Sequence, residues 1–179
     1  MDLASRAAVC AGDGSSQILA GESFGFVGEA QALLGEKGEC ERALDGARLS
    51  MERIASDDPV FGRFVWVDGF AGICYGSLGD PRSAGLVLRE SLANLGVGKE
   101  KAKAARLGDL AIALVRQRGL EQGAAVLRQA IDLVERSWSG RGVQRGFMAG
   151  RELRLWIGEP FVRDVQDRLL ALGGSVPWH

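Results

Sequence analysis

The sequence predicts an all-α chain of stacked helical hairpins, on three observations. Apolar residues recur three or four apart over long stretches. Proline follows an acidic residue at three places suited to a helix start. A glycine-centred turn pattern returns at a nearly constant spacing. Strand signals are missing, with no alternating β-branched runs and no Asn-Gly or Asp-Gly hairpin between such runs.

The first segment, "LASRAAVCAGDG" (3–14), reads as a short helix closed by Gly12-Asp13-Gly14. It stands where a second hairpin helix would stand, without its partner. The chain is therefore expected to begin inside an array, as a fragment of a longer protein or with an unpaired helix that a second copy could cover as a homodimer.

Three hairpins follow over 15–137. Their centres are "QALLGEKGECERALDGARLSM" (31–51), "GICYGSLGDPRSAGLVLRESL" (72–92) and "IALVRQRGLEQGAAVLRQAI" (112–131). Each has an apolar helix end, a glycine, a few polar residues, a small residue and a second amphipathic helix. Gly38, Gly79 and Gly119 take the turn position, 41 and 40 residues apart. Glycine there accepts positive φ and closes one helix. Ala43, Ala84 and Ala124 come five residues later, where a small side chain permits close antiparallel packing. Leu107, Leu110, Ala111, Leu114 and Val115 read as one apolar face, as do Leu88, Leu92 and Leu95.

The prolines sharpen the helix starts. Asp58-Pro59, Asp80-Pro81 and Glu159-Pro160 place them near 59, 81 and 160, because proline suits the first turn and a preceding Asp caps its amides. The stretch 138–174 gives a capping hairpin, with helices near 141–156 and 159–172 and stripes of Phe147, Leu153, Trp156 and of Phe161, Val162, Val165, Leu169. Residues 175–179, with Pro177, read as a tail.

This pattern resembles the tetratricopeptide repeat (TPR), which pairs a small residue and an aromatic in its first helix with Gly and Ala at the turn. The middle hairpin carries the match best, through Ala71-Gly72, Tyr75, Gly79, Ala84 and Ser91-Leu92. Leu34 replaces the aromatic in the first hairpin, and the third is one residue short before Ala130. The spacing exceeds the family's usual period of about 34 residues. The resemblance implies a right-handed helical solenoid of about three hairpins plus the C-terminal cap. With "GECERALDGARLSMERI" and the Arg-rich end "EPFVRDVQDRL", the chain is similar to the C-terminal TPR domain of actinobacterial helix-turn-helix transcriptional regulators. That implies a regulatory sensing, peptide-binding or dimerising module. The DNA-binding domain of those regulators has no counterpart here, so direct nucleic-acid binding is not expected.

Composition narrows the function classes. The 179 residues are 46% hydrophobic and 25% charged, with a net charge of -1, so nothing global draws the chain to nucleic acid or an anionic membrane. No apolar run reaches the roughly 18 residues of a membrane helix. The N-terminus lacks the basic start and apolar core of a signal peptide, so the expected location is the cytoplasm. Cys10, Cys40 and Cys74 have no metal spacing and read as buried free thiols in a reducing compartment.

Catalysis is hard to assemble. The single histidine is His179, the last residue, which leaves no Ser-His or Cys-His pair and no histidine metal site. Glu36, Glu39 and Glu41 flank a turn and read as a solvated face, and Asp57-Asp58 reads as a helix cap. "GVGKE" (96–100) lacks the hydroxyl residue, the upstream glycine and the preceding strand of a phosphate loop. No cofactor or metal is expected. Arg136, Arg141, Arg145, Arg151 and Arg154 lie near Trp138 and Trp156, an arrangement that fits either an acidic partner or a solvated helix face.

In a TPR solenoid the first helix of each hairpin lines the concave face. Mapped onto this chain, that places Glu36, Trp66, Ser77, Arg106, Asp109, Arg116 and Gln117 toward a groove, with Arg145 beyond them. Gly25 matches Trp66 in the first hairpin, so Phe26 is the nearest aromatic there. Trp66 and Phe26 fit either the groove or the core. Aromatic anchors among mixed charges suit a protein or peptide partner. The Lys/Asn clamp for acidic C-terminal tails is absent. An apolar pocket near the two aromatics would instead favour a small metabolite or a signalling peptide and a sensor role.

Overall fold

The computed structural model describes residues 14–53 and 66–174. These form eight α-helices, with no strand among them: α1 (Gly14–Leu33), α2 (Lys37–Glu52), α3 (Trp66–Ser77), α4 (Pro81–Ala93), α5 (Glu100–Arg116), α6 (Leu120–Ser137), α7 (Gly140–Leu153) and α8 (Pro160–Gly174). A 3₁₀ turn, Arg154–Trp156, extends α7. The all-helical class is as the sequence predicts, and α1 with α2, α5 with α6 and α7 with α8 pack as sequence neighbours. The short helix of 3–14, the start near 59, Asp57-Asp58, Cys10 and the tail 175–179 fall outside the described residues.

The first three hairpins turn in the same way. The amides of Glu36, Asp80 and Gly119 donate to the carbonyls of Gln31, Tyr75 and Leu114, each at 2.9 Å. One residue earlier, Gly35, Gly79 and Arg118 donate to Ala32, Gly76 and Val115. This is the Schellman closure, and it demands a left-handed residue: φ is +79° at Gly35, +78° at Gly79 and +69° at Arg118. The left-handed positions are therefore 35, 79 and 118. Gly79 is as the sequence predicts, but Gly38 lies inside α2 and Gly119 (φ -84°) caps α6 from one position later. Glycine marks both turns and helix interiors, so aligning glycines by letter shifts the first and third hairpins.

A β-carbon at Gly79 would meet nothing within 4 Å. Gly79→Val is therefore expected to cost about 2 kcal/mol through backbone strain alone. Arg118→Gly relieves the same strain and is expected to stabilise the protein by about 0.5 kcal/mol after the entropy of glycine is counted. Urea denaturation of the two variants checks both signs.

Caps fix the later helix starts. The Ser83 amide and hydroxyl donate to the Asp80 carboxylate at 3.0 and 2.7 Å, and these bonds hold the Asp80 carboxyl below its ordinary range. Pro81 and Pro160 open α4 and α8 as expected. The Ser139 hydroxyl accepts from the Gly142 amide at 3.1 Å and caps α7.

The chain divides into two compact units, Met1–Val87 and Leu88–His179, with the boundary inside α4. In the first unit α1 packs along both α2 and α3. Its core joins Ala32, Cys40, Leu44, Phe70, Ala71 and Cys74, with Ile18, Ala47, Met51 and Val67 beyond. Glycines on α1 make room for it: a β-carbon at Gly25 would sit 2.5 Å from the Phe70 ring, and one at Gly21 would sit 2.8 Å from the Met51 sulfur.

In the second unit α5 packs along α6 and α7, and α8 packs on α6 and α7. Leu107, Ala111 and Val115 join Ala124, Leu127, Ile131, Leu153, Val162, Val165 and Leu169. Leu110 and Leu114 instead pack with Leu88. What reads as one apolar stripe on α5 is two faces, because α5 is covered on two sides. The small residue at the α5–α6 crossing is Gly123, where a β-carbon would meet Val115 Cγ2 at 2.7 Å, beside the fully buried Ala124.

Candidate functional site

Four ion pairs of the second unit share one offset, while Arg168 also reaches Glu135, 33 residues before it, at 2.8 Å. On the first helices of the last two hairpins, Asp109 pairs with Arg145 (3.2 Å) and Arg116 with Glu152 (2.6 Å). On the second helices, Arg128 pairs with Asp164 (2.9 Å) and Asp132 with Arg168 (2.8 Å). Each pair joins residues 36 apart. Helices α6 and α8, like α5 and α7, begin 40 residues apart, so every pair reaches one helical turn short of the equivalent position. The same stagger therefore holds between α5 and α7 and between α6 and α8.

Close contact between α5 and α7 makes the first rung possible. At Gly108 a β-carbon would lie 2.7 Å from Arg145 Cβ, 3.1 Å from its carbonyl carbon and 3.3 Å from the Gly146 nitrogen. Arg145 thus enters beside Gly108 and meets Asp109, the next residue. Both side chains are largely buried, 13% and 11% exposed. Seven residues along each helix, Arg116 and Glu152 form the second rung with the charges exchanged, at 42% and 32% exposure. Arg106, placed in a groove by sequence, is buried at 6% exposure one turn before Asp109. Gln117 caps the C-terminal end of α5, its side-chain amide donating to the Ala113 carbonyl at 3.1 Å.

The first unit places its candidates separately. Phe26 is half exposed, its ring edge-on to Phe70 with centroids 5.2 Å apart, so it belongs to the surface rather than the core. Its neighbour Gly25, the position matching Trp66, is where the Phe70 ring inserts. Ser77 ends α3 and is exposed, and Glu36 holds the cap position before α2 without a side-chain capping bond. Trp66 is the first residue of α3, and its side chain lies outside the described part. Glu39 pairs with Arg42 and Glu41 with Lys37 (3.9 Å), all on the exposed face of α2.

Sequence reasoning selected Asp109, Arg116 and Arg145 but missed Glu152 and Gly108. The available signal for Glu152 is its offset from Arg116, which equals that of Arg145 from Asp109.

A half-open cavity of about 660 Å³ lies at the 96–99 turn before α5. Its lining combines Leu92, Leu95 and Leu133 with the charged Lys99, Glu100, Lys103 and Arg136. Helix α4, not a strand, precedes this turn. Among the described residues no group of three or more His, Cys, Asp or Glu is placed to hold a metal ion, and no helix is long and apolar enough to cross a membrane. No protein family, curated protein or solved structure matches the chain.

Proposed function

We propose that this chain is a non-catalytic interaction module of the tetratricopeptide type, a right-handed solenoid that holds a protein or peptide segment along the face made by the first helices of its hairpins. Its role is regulatory, as part of or partner to a transcriptional regulator. The observation that supports this reading is the 36-residue offset shared by four ion pairs between the last two hairpins, which is what stacking of one repeat on the next would produce. Packing of α7 on α5 places the partly exposed Arg116–Glu152 pair across the two helices. The half-exposed Phe26 offers an aromatic anchor on the first helix of its own hairpin.

Selection from a displayed random-peptide library, followed by calorimetry on the enriched peptide, tests this. Phe26→Ala or Arg116→Glu is expected to weaken binding at least about 10-fold, with helicity unchanged and Arg128→Ala without effect. Affinity that survives both face variants would place the site elsewhere. A second reading, a sensor of a small anionic metabolite, is favoured by the cationic and apolar residues lining the cavity at the 96–99 turn. It gains if no peptide is enriched and if small carboxylates raise Tm in a manner lost on Lys103→Ala with Arg136→Ala.

A further inference from the structure

Cys40 and Cys74 are 34 residues apart, on different helices, and both are fully buried in the core of the first unit. Cys40 lies in the first turns of α2 and Cys74 in the C-terminal half of α3, and their thiols are hydrogen-bonded to each other. Gly28 of α1 adjoins the pair: a β-carbon there would lie 3.6 Å from both the Cys40 carbonyl oxygen and the Cys74 sulfur. The remaining neighbours in this cluster, Ala32, Leu44, Phe70 and Ala71, are apolar.

We propose that Cys40 and Cys74 form an oxidisable dithiol, which a hydroperoxide closes into an intramolecular disulfide stapling α2 to α3. The chemistry balances with hydrogen peroxide as the oxidant. One of the two sulfurs attacks one peroxide oxygen, the O–O bond breaks, water leaves and that cysteine becomes a sulfenic acid. The other sulfur then attacks the sulfenic sulfur, the S–S bond forms, the S–O bond breaks and a second water leaves. The two thiols give up two hydrogens and two electrons, which the peroxide accepts.

Burial pushes both thiols up. Since both are protonated and enclosed, closure follows opening of the core and is gradual rather than immediate.

The experiment treats the whole 179-residue chain with hydrogen peroxide, blocks remaining thiols by alkylation and digests with trypsin without reductant. The expected product is peptide 38–42 joined to peptide 64–82, lighter than their sum by two hydrogens and separated again by dithiothreitol. The oxidised chain should show Tm raised by roughly 10 °C. That rise should persist in Cys10→Ser and vanish in Cys74→Ser. Two alkylated thiols, a sulfinic acid on either cysteine, or a bridge to Cys10 or to a second chain would each overturn the proposal, and each is read on the unmutated protein.

Discussion

Replacing Gly108 with alanine is expected to lower the unfolding free energy by about 3 kcal/mol, although alanine is the better helix former. Propensity alone would favour the substitution by about 1 kcal/mol. The added methyl, however, would sit 2.7 Å from Arg145 Cβ, and behind that atom stand the Arg145 carbonyl carbon at 3.1 Å and the Gly146 nitrogen at 3.3 Å. Two of these three atoms are backbone and the third is fixed to it, so no rotamer change relieves the contact. Helix α7 would have to move away from α5, loosening the Asp109–Arg145 rung as well. Gly146→Ala is the control. It lies on the other helix of the same pair, yet its β-carbon would meet only Leu169 Cδ2 at 3.6 Å and Leu127 Cδ1 at 3.9 Å, ordinary contacts. It should stay within about 1 kcal/mol of the parent. Urea denaturation of both decides the matter, and equal stabilities would refute the close approach of α5 and α7.

How much of this was legible in the sequence differs between levels. Helix starts at Pro81 and Pro160 follow from local chemistry, because proline and its acidic neighbour act within one turn. The identity of the turn residues was legible only at Gly79. Arg118 takes the same left-handed conformation without being glycine, while Gly38, Gly108 and Gly123 are glycines inside helices. A glycine letter does not say whether it serves backbone conformation or a close approach. The split of the α5 stripe was hidden for a related reason: periodicity gives the apolar residues of a helix, not the number of neighbours covering it. At the site, Asp109, Arg116 and Arg145 stand out as charges on first helices. Their pairing depends on a stagger of one turn between α5 and α7, which local sequence does not encode. The Cys40–Cys74 contact depends on tertiary packing in the same way, since a 34-residue separation carries no motif.

Arg145→Met is expected to cost about 3 kcal/mol, against less than about 1 kcal/mol for Arg116→Met, although both remove one guanidinium from the same helix pair. Burial makes the difference. The Asp109 and Arg145 side chains are 11% and 13% exposed, so the carboxylate has lost most of its water and depends on the guanidinium. Arg116 and Glu152 keep 42% and 32% exposure, and water replaces whichever partner is removed. Methionine keeps the length of arginine and its Cβ beside Gly108, so the comparison isolates charge from packing. Asp109→Asn in the same chain completes a double-mutant cycle. If the cost of the single change is a stranded charge, the double variant should recover most of it and lie within about 1 kcal/mol of the parent, with a coupling energy of at least about 2 kcal/mol. A strictly additive cycle would mean that the two groups do not depend on each other. The outcome also bears on the proposed ligand face. A rung that is costly to break is a fixed strut between α5 and α7, whereas the Arg116–Glu152 rung one step along is the more exposed of the two.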